Sequence, residues 1–494
     1  MTPFGVPLPL LTDSYKTTHF ELYPETKKMI AYGEFRTGFD KDLNDRRIVA
    51  YGIRYIIENY VAKQWTLEDV ALAERFFSMH NAGYFPVKIE ALPEGSVAYP
   101  RVPIYQITAE NEYSRLVTYL ETILTMVWPH AEDGIKYPST VATLSRRSRD
   151  VIEAAYERSV DEDGYWTLNS RLHDFGFRAC TSVEQSIIGG CAHLLNFEGT
   201  DTLSAAFYAQ FRLNDGKPVA TSIPATEHSV MTAFPNEKEA IIQLLNKFGT
   251  GVCACVMDSY DYVNALDNVL PSIAKHKLEK GGFLVLRPDS GDPVEVVLLG
   301  LRAIEKVFGA DTNKKGFKVL RGASVIQGDA VTYSTLQAIL KAVTDAGYAA
   351  QNVAFGMGGG LLQRVNRDTM SFATKLSKMI YLDGTERHVR RYGDVMKMPK
   401  TGSEKISLPG EFVVIKNEQQ VPMVYPREAG HAGENVLKVV YDNGVVPKFD
   451  DYTTVRERLR KEWAALPPAF DVLSPELKEK IKKVKSITNV AIGN

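Results

Sequence analysis

Six short apolar runs between residues 194 and 355 alternate with helical patterns, and this rhythm constrains the fold more than any other feature. Each run ends in a loop of small, polar or acidic residues, after which a helical pattern begins. The runs are Leu194–Phe197, Pro218–Ile223, Val252–Met257, Phe283–Leu286, Ala323–Ile326 and Asn352–Phe355. Their spacing, mostly roughly 30 to 40 residues, is the length of one strand–helix–strand unit. The pattern therefore predicts short parallel strands alternating with helices.

Polar groups follow the end of every predicted strand, which favours a barrel. In (β/α) barrels the loops after the strands converge on one mouth, where the chemistry takes place. We therefore predict an α/β fold with an irregular, closed or nearly closed (β/α) barrel, although an open doubly wound sheet would produce the same periodicity. One predicted helix, Val331–Ala346, places Leu336, Ile339, Leu340 and Val343 on a single apolar face.

The regions on either side of the barrel carry other patterns, which predict a flanking domain of mostly antiparallel β and α+β structure. Residues 1–160 mix helices with strand-like pieces such as Ser96–Ile107, and residues 161–385 form the predicted barrel. Residues 386–494 are β-rich and are predicted to complete the flanking domain. Their alternating segments are Glu411–Ile415, Val421–Val424 and Val436–Tyr441, and Pro475–Lys485 is predicted to be a lysine-rich surface helix.

The composition limits the kinds of binding partner and the cellular compartment that we expect. The 494 residues have a formal net charge of −2, which argues against nucleic acid because duplex-binding proteins carry a basic surplus. Cys180, Cys191, Cys253 and Cys255 form no CxxC pair and no zinc set with histidine, so we expect reduced thiols and no protein metal site. No apolar stretch approaches the roughly 20 residues that span a bilayer, and the apolar start lacks a basic residue. We therefore expect a cytoplasmic protein without membrane partners.

Four carboxylates follow predicted barrel strands: Asp201, Asp258, Asp289 and Asp329. One interpretation is that each aspartate caps the helix after it, a role worth about 1 kcal/mol. The shared placement of all four favours another cause. Carboxylates gathered at one mouth suit a magnesium-bound polyphosphate, sugar hydroxyls and an amide NH2 group.

Basic and glycine residues accompany these acids. Arg287 precedes Asp289 by two positions, and Arg367 and Lys375 follow the glycine-rich segment Gly356–Gly360. Glycines allow backbone N–H groups to approach phosphate oxygens closely, but a glycine cluster also suits a tight turn. The segment matches neither the phosphate-binding GxxxxGK[ST] pattern nor the dinucleotide-binding GxGxxG pattern.

Two further residues are candidates for chemistry. His228 follows a predicted strand and suits a phosphate acceptor or an acid/base group, but a hydrogen-bonded structural histidine is the alternative. Its neighbour Glu227 does not necessarily face it. Phe175 suits the core, but beside Arg178 it would also suit stacking on a flat ring whose phosphate the guanidinium holds.

Eight blocks of the sequence, taken in order, resemble one known family. They are Leu11–Lys16, His173–Arg178, Gly199–Thr202, Pro224–Ser229, Asp258–Asp261, Arg287–Gly291, Val325–Asp329 and Phe355–Gln363. With Val436–Tyr441 they resemble the nicotinamide phosphoribosyltransferase family, a type II phosphoribosyltransferase family. The family name rests on these blocks, and the barrel periodicity agrees with it.

The resemblance implies an enzyme, a pentosyltransferase of NAD salvage. It would transfer 5-phosphoribosyl from phosphoribosyl pyrophosphate to nicotinamide, giving nicotinamide mononucleotide and pyrophosphate. The implied cofactor is Mg²⁺, and ATP is the implied co-substrate that phosphorylates His228 and stimulates the reaction. The family works as a homodimer with shared active sites, to which residues 1–160 would contribute dimer contacts.

The resemblance also assigns roles for pyridine and ribose recognition. Phe175 would stack on one face of the ring and Tyr15 of the second subunit on the other. Asp201 would accept a hydrogen bond from the carboxamide NH2 group, with Ser222 nearby. Asp289 and Asp329 would face the ribose hydroxyls.

Phosphate recognition is assigned in the same way. Arg178 and Arg287 would hold phosphate and the ring side of the site, and Asp258 would support the histidine or the magnesium–pyrophosphate region. The 5′-phosphate would lie on Gly328, Gly358 and Gly359. The pyrophosphate would lie on Arg36, Arg367 and Lys375, partly from the second subunit.

One position departs from the family pattern, and three other functions remain alternatives. Human-like members carry Ser two positions before Lys375, where this chain has Ala373, so one phosphate contact is expected to be missing. A nicotinate phosphoribosyltransferase would share the fold, but Asp201 would repel the nicotinate carboxylate. A barrel aldolase or isomerase would need a lysine or an acid/base pair at a strand end, and no lysine ends a predicted strand. A non-catalytic pyridine-nucleotide binding protein is the third alternative.

Overall fold

The computed structural model describes residues 6–77, 83–125, 136–381, 393–399 and 405–491. The chain divides into two compact units. One comprises Leu144–Val365, and the other comprises Met1–Thr143 together with Asn366–Asn494. In the described part of the chain, every helix is too short or too polar to cross a membrane.

The unit Leu144–Val365 is built on six parallel strands. In chain order they are β1 (Leu172–Asp174), β2 (Gly199–Thr200), β3 (Val252–Val256), β4 (Phe283–Arg287), β5 (Ala323–Gln327) and β6 (Val353–Met357). They lie side by side in the order β2-β1-β6-β5-β4-β3, and every neighbouring pair is parallel. All-parallel pairing confirms the strand direction predicted from the alternating pattern.

An irregular segment closes the ring between the two edge strands. Thr221 forms a parallel bridge with Gly199 of β2, and Ala225 forms one with Ala254 of β3. The Ala254 N–H donates to the Pro224 carbonyl at 2.9 Å. Proline has no N–H to donate to a ladder, which accounts for bridges in place of a regular strand here. The predicted irregular barrel is therefore confirmed, and the open sheet is excluded.

Two of the six predicted strands were wrong. Leu194–Phe197 is the end of the helix Val183–Leu194 and the turn after it, and Pro218–Ile223 contains no regular strand. A short apolar run at the end of a buried helix cannot be distinguished from a buried strand by periodicity. The missing strands, β1 and β2, were not predicted because they have only three and two residues.

Helices connect the strands of this unit. They span Lys136–Ser159 (which begins in the other unit), Val183–Leu194, Leu203–Tyr208, His228–Thr232, Glu237–Phe248, Tyr262–Asn264, Leu270–Lys280, Pro293–Phe308, Tyr333–Asp345 and Gly359–Leu362. A hairpin joins Ala310–Thr312 to Lys318–Leu320. Tyr333–Asp345 confirms the predicted helix, and its four predicted apolar residues are buried. Thr332 begins it with a capping box, in which Thr332 and Thr335 satisfy each other's backbone N–H groups.

Two alanines and two branched residues form one layer of the barrel interior. Ala254, Val285, Ile326 and Ala354, one from each of β3 to β6, are buried together, and Phe175 packs against them. Bulky branched residues usually fill such layers. Two alanines leave room for an aromatic ring from the mouth of the barrel.

The other unit contains an antiparallel sheet of five strands. Its order is Phe372–Tyr381, Thr26–Phe35, Pro103–Glu110, Lys88–Ala91 and Lys438–Asp442. Smaller pairs are Phe412–Lys416 with Pro422–Pro426 and Ile48–Val49 with Val97–Ala98. The helices are Lys16–Leu22, Ile53–Ile56, Leu67–Phe77, Glu121–Thr125, Arg367–Met370, Tyr452–Ala465 and Pro475–Ala491. The predicted antiparallel character is confirmed.

Candidate active site

A cavity of about 1060 Å³ lies at the carboxyl ends of the barrel strands. Residues that follow five different strands line it: Phe175 after β1, Asp201 after β2, Asp289 after β4, Asp329 after β5 and Gly358 after β6. A cavity of this size at this face of a barrel is the usual position of a small-molecule site.

Most residues that the sequence singled out lie at this cavity. Its lining includes Phe175, Arg178, Asp201, Arg287, Asp289, Gly328, Asp329, Gly358 and Gly359. Three more contact a lining residue. Ser222 is hydrogen-bonded to Asp201, and His228 and Asp258 both contact Asp289. The roles assigned to these residues by resemblance remain predictions.

The four strand-end carboxylates do not cap helices. The helix after β2 begins at Leu203 with Thr202 at its N-cap position, and the helices after β3, β4 and β5 are capped by Asp261, Asp292 and Thr332. The Asp292 carboxylate, for example, accepts from the N–H groups of Val294 and Glu295. With capping excluded, the carboxylates at the mouth are available for a ligand.

Asp201 and Ser222 form a polar pair at one side of the mouth. The Ser222 hydroxyl donates to Asp201 Oδ1 at 2.5 Å, and both residues are exposed. A carboxylate has about four acceptor positions, so Asp201 can still accept from an N–H group of a ligand.

The histidine lies between a serine and an aspartate. Nδ1 of His228 lies 3.0 Å from the Ser259 hydroxyl, and Nε2 lies 3.3 Å from Asp289 Oδ2. The imidazole is about half exposed, with 47% of its side chain accessible. The adjacent Glu227 accepts instead from Ser229. His228 is therefore oriented through both ring nitrogens while it still faces solvent.

Asp258 supports the loop that carries Asp289. Its Oδ2 accepts from the Asp289 N–H at 2.9 Å and from the Ser290 hydroxyl at 2.5 Å. Its Oδ1 is buried and has no hydrogen-bond partner among the described residues. The His228 ring nitrogens contact Ser259 and Asp289, so Asp258 reaches the histidine only through the loop of Asp289.

Two glycines make room for the Phe175 ring. A Cβ on Gly356 would lie 2.0 Å from Cε2 of Phe175, and a Cβ on Gly328 would lie 3.2 Å from the same atom. From the sequence, the expected roles of the glycines are only phosphate contact or a tight turn. Gly356 instead provides the space in which the aromatic side chain lies.

The glycines farther along the segment lie at the start of a helix, where backbone N–H groups can contact a phosphate. Gly359 begins the short helix Gly359–Leu362, and Gly358 immediately precedes it. The first N–H groups of a helix have no partner inside the helix, so they are available to acceptors. Arg178, Arg287 and Arg364 line the same cavity and supply positive charge.

Asp174, at the end of β1, is fully buried. Its carboxylate accepts from the Gly176 N–H at 2.7 Å and from the Thr200 hydroxyl at 3.3 Å. Burial raises the pKa of Asp174 to about 6, although these hydrogen bonds oppose the shift. Burial likewise lowers the pKa of the adjacent His173.

The remaining predicted residues belong to the other unit. Arg36 and Lys375 lie on neighbouring strand segments, since the Arg36 N–H donates to the Ser371 carbonyl and Lys375 pairs with Tyr32. Burial lowers the pKa of Lys375, and the Arg36 charge lowers it further. Tyr15 is exposed, with 58% of its surface accessible. The side chain of Arg367 lies outside the described residues.

The four cysteines form no disulfide, and the described residues include no group of ligands for a protein metal centre. Cys191, Cys253 and Cys255 are buried, and Cys180 is half-buried in the cavity lining. Within the described ranges, no three His, Cys, Asp or Glu side chains are grouped to hold a metal ion.

Comparison with known proteins places the chain in a family. A nicotinamide phosphoribosyltransferase from Xanthomonas campestris pv. campestris is 37% identical over 468 residues, which cover 88% of this chain and 94% of that protein. The chain belongs to the nicotinamide phosphoribosyltransferase family. Family models agree: the nicotinamide phosphoribosyltransferase N-terminal domain matches residues 7–87, and the nicotinate phosphoribosyltransferase family matches residues 170–407. The chain is therefore an enzyme of the pentosyltransferase class.

Solved structures support the same fold. Nicotinate-nucleotide pyrophosphorylase from Pyrococcus furiosus has a TM-score of 0.62 at 15% identity, with 94% of this chain and 99% of that chain covered. Human nicotinic acid phosphoribosyltransferase has a TM-score of 0.58 at 18% identity, with 96% of this chain and 100% of that chain covered. At such identities the likeness shows the fold alone.

Several residues of this nicotinamide phosphoribosyltransferase-family site were not singled out from the sequence. Arg364 and Ser182 line the cavity, Ser259 contacts the histidine, and Asp174 holds the turn that follows β1. Ser259 and Asp174 lie inside blocks that resemble the family, so their position was a signal. Nothing in the local pattern distinguishes Arg364 from a surface arginine.

Proposed function

We propose that this chain transfers 5-phosphoribosyl from phosphoribosyl pyrophosphate to nicotinamide, giving nicotinamide mononucleotide and pyrophosphate for NAD salvage. One observation carries the proposal. A single cavity combines an aromatic ring, a carboxylate paired with a hydroxyl, two further carboxylates and glycine N–H groups. These groups match the aromatic ring, the amide, the ribose and the phosphate of the two substrates.

Pyridine recognition is assigned to Phe175, Asp201 and Ser222. The ring would stack on Phe175, and the amide NH2 group would donate to Asp201. Nicotinate presents a carboxylate there, which Asp201 would repel, and a mismatched polar site can discriminate by several kcal/mol. The hydrogen bond between Ser222 and Asp201 supports this assignment because it fixes the acceptor.

The sugar and phosphate side is assigned to the rest of the mouth. Asp289 and Asp329 would bind the ribose hydroxyls, Gly328, Gly358 and Gly359 the 5′-phosphate, and Arg178 and Arg287 the adjacent charge. The pyridine nitrogen is itself nucleophilic, so substitution at the anomeric carbon needs no strong general base. The residues here would align both substrates and stabilise an oxocarbenium-like transition state.

The donor set fits magnesium at the pyrophosphate. Asp258 has a buried oxygen without a hydrogen-bond partner in the described chain, and Asp289 lies next to it. Hard oxygen ligands of this kind suit Mg²⁺. Bound magnesium would supply charge neutralisation of the departing pyrophosphate. Arg36, Arg367 and Lys375 would add positive charge, partly from a second subunit.

ATP stimulation is assigned to His228. Its imidazole is half exposed, and Asp289 contacts Nε2 while Ser259 contacts Nδ1. An oriented, accessible imidazole suits phosphorylation by ATP. A phosphohistidine beside the pyrophosphate site would couple ATP hydrolysis to a more favourable transfer cycle.

A homodimer would complete the site. Leu203, Phe207 and Phe211 repeat every four residues along one helical face and are 77%, 54% and 52% exposed. This apolar stripe begins two residues after Asp201, at the rim of the cavity. A second copy of the chain would cover it, and the exposed Tyr15 of that copy would close the pyridine sandwich.

The decisive experiment measures product formation. The purified chain is incubated with nicotinamide, phosphoribosyl pyrophosphate and Mg²⁺, with and without ATP, and the mononucleotide is quantified by chromatography. A parallel reaction with nicotinate tests the choice of pyridine, and Asp201→Asn is the matched variant. We expect strong preference for nicotinamide, which Asp201→Asn weakens. Equal kcat/KM for both pyridines in the unsubstituted chain would refute the assignment of Asp201.

A further inference from the structure

Asp174 is connected to two of the three residues that are assigned to the pyridine, Phe175 and Asp201. Its Oδ1 accepts from the Gly176 N–H at 2.7 Å, which turns the chain immediately after β1. Phe175 lies inside that turn, and its own N–H donates to the Met357 carbonyl at 3.1 Å. The carboxylate therefore sets the direction in which Phe175 leaves the strand.

The second connection runs to β2. The Thr200 hydroxyl donates to Asp174 Oδ2 at 3.3 Å and accepts from the Thr202 N–H at 3.0 Å. The N–H of Asp201, between these two threonines, donates to the Asp174 carbonyl at 2.9 Å. Asp201 is thus held directly by the Asp174 carbonyl and, through the Thr200 hydroxyl, by the Asp174 carboxylate.

We propose that Asp174 is a positioning residue that holds Phe175 and Asp201 in one frame for the nicotinamide ring and its amide, and this inference rests on the proposed function. Its two oxygens accept from two donors, one in the turn after β1 and the other on β2, and an amide cannot accept at both positions. Oδ2 of Asp174 also lies close to Gly190, where an added Cβ would come within 3.1 Å of it.

The surroundings of Asp174 distinguish positioning from simple stabilisation. No ion pair neutralises its carboxylate among the described residues, and the burial that raises its pKa to about 6 disfavours the ionised form. Asp201 is the charged group that faces it, whereas its contacts Gly176, Thr200 and Gly190 are uncharged. His173, beside it, packs on Gly199 instead. The buried charge of Asp174 is therefore expected to lower the stability of the fold while it improves the binding of nicotinamide.

The test is Asp174→Asn, with the KM for each substrate, kcat and the melting temperature measured at pH 7.5. A charge-assisted hydrogen bond contributes about 1.5–3 kcal/mol, so we expect the KM for nicotinamide to rise roughly 10- to 100-fold. The KM for phosphoribosyl pyrophosphate should change little, and the melting temperature should stay the same or rise. A merely structural aspartate would instead lower the melting temperature.

A pH profile gives an independent readout. A protonated Asp174 can no longer accept at both oxygens, so the nicotinamide KM of the unsubstituted chain should rise as the pH falls through about 6. Asp174→Asn should remove this dependence. Thr200→Val removes the bond to Asp174 and also the acceptor of the Thr202 N–H, so it should raise the nicotinamide KM at least as much. The double variant should be no worse than Thr200→Val alone, since the bond between Asp174 and Thr200 is then lost only once.

Asp161→Asn is the matched control, because Asp161 also accepts from a backbone N–H, that of Lys314 at 2.9 Å, but does not line the cavity. If the unsubstituted chain is active and Asp174→Asn leaves the nicotinamide KM unchanged, the positioning role is wrong and the proposed function stands. If the unsubstituted chain makes no mononucleotide, both are wrong.

Discussion

Gly356→Ala should displace the Phe175 ring and weaken the binding of nicotinamide selectively. The new Cβ would lie 2.0 Å from Cε2, 2.1 Å from Cδ2 and 2.7 Å from Cζ of Phe175. Carbon atoms in contact are normally about 3.5–4.0 Å apart, so the ring must move by roughly 1.5 Å. Gly356 lies inside β6, where it pairs with His173, and this limits movement of the backbone. The side chain must therefore move.

Two effects set the size of the change. Overpacking a core costs about 1–3 kcal/mol, which lowers the Tm by roughly 2–4 °C for each kcal/mol in a unit of this length. Misplacing a reacting group by about 1 Å can lower the rate about 100-fold. We therefore expect kcat/KM for nicotinamide to fall about 10- to 100-fold, while the KM for phosphoribosyl pyrophosphate changes little because Gly358 and Gly359 are untouched.

Initial rates at varied nicotinamide and varied phosphoribosyl pyrophosphate measure both effects, and thermal melting measures stability. Gly251→Ala is the control, because its Cβ would meet nothing closer than 3.8 Å. In Gly356→Ala combined with Phe175→Leu, the smaller side chain should relieve the clash and restore the Tm but not the nicotinamide KM. A Gly356→Ala variant with an unchanged nicotinamide KM would show that Phe175 does not stack on the pyridine.

Three further outcomes are expected. His228→Ala should retain slow transfer and lose stimulation by ATP; rates with and without ATP measure this, and persistent stimulation would exclude the phosphohistidine. Phe207→Lys should place a charge in the exposed apolar stripe and shift the chain towards monomer in sedimentation velocity. Activity should then be lost at low protein concentration. An unchanged dimer would show that the interface lies elsewhere. Thr332→Ala should lose the capping box of Tyr333–Asp345 and about 1 kcal/mol of stability, seen as a lower Tm with an unchanged KM.

The sequence predicted the barrel where its strands are long enough to form apolar runs. The four predicted runs between Val252 and Phe355 correspond to β3 to β6. Each of these strands has five residues, which is long enough to give a recognisable apolar signal. β1 contains His173 and Asp174 among its three residues, so its composition resembles a loop. Closure of the ring depends on isolated bridges at Thr221 and Ala225, and such bridges depend on tertiary contacts that no local pattern records.

The candidate site was predictable to the extent that it follows from topology. Parallel strands bring the residues after their carboxyl ends together, and this placed Asp201, Asp289 and Asp329 at one cavity. The pairing of His228 with Asp289 and Ser259 was not predictable, because it depends on the direction of side chains from three different loops. The burial of Asp174 was not predictable either, since an aspartate at a strand end usually faces solvent.

The Phe175 ring belongs both to the core of the barrel and to the proposed pyridine site, and this limits which substitutions the site can accept. Phe175 packs on the layer that contains Ala254 and Ala354, and its ring occupies the space above Gly356. A larger residue at any of these positions would reduce the space for the ring, whereas a smaller residue at Phe175 would leave a cavity that costs several kcal/mol. Substitutions that alter pyridine recognition through Phe175 should therefore also alter stability. Substitutions at Asp201 and Ser222, which are exposed at the rim, should alter recognition alone.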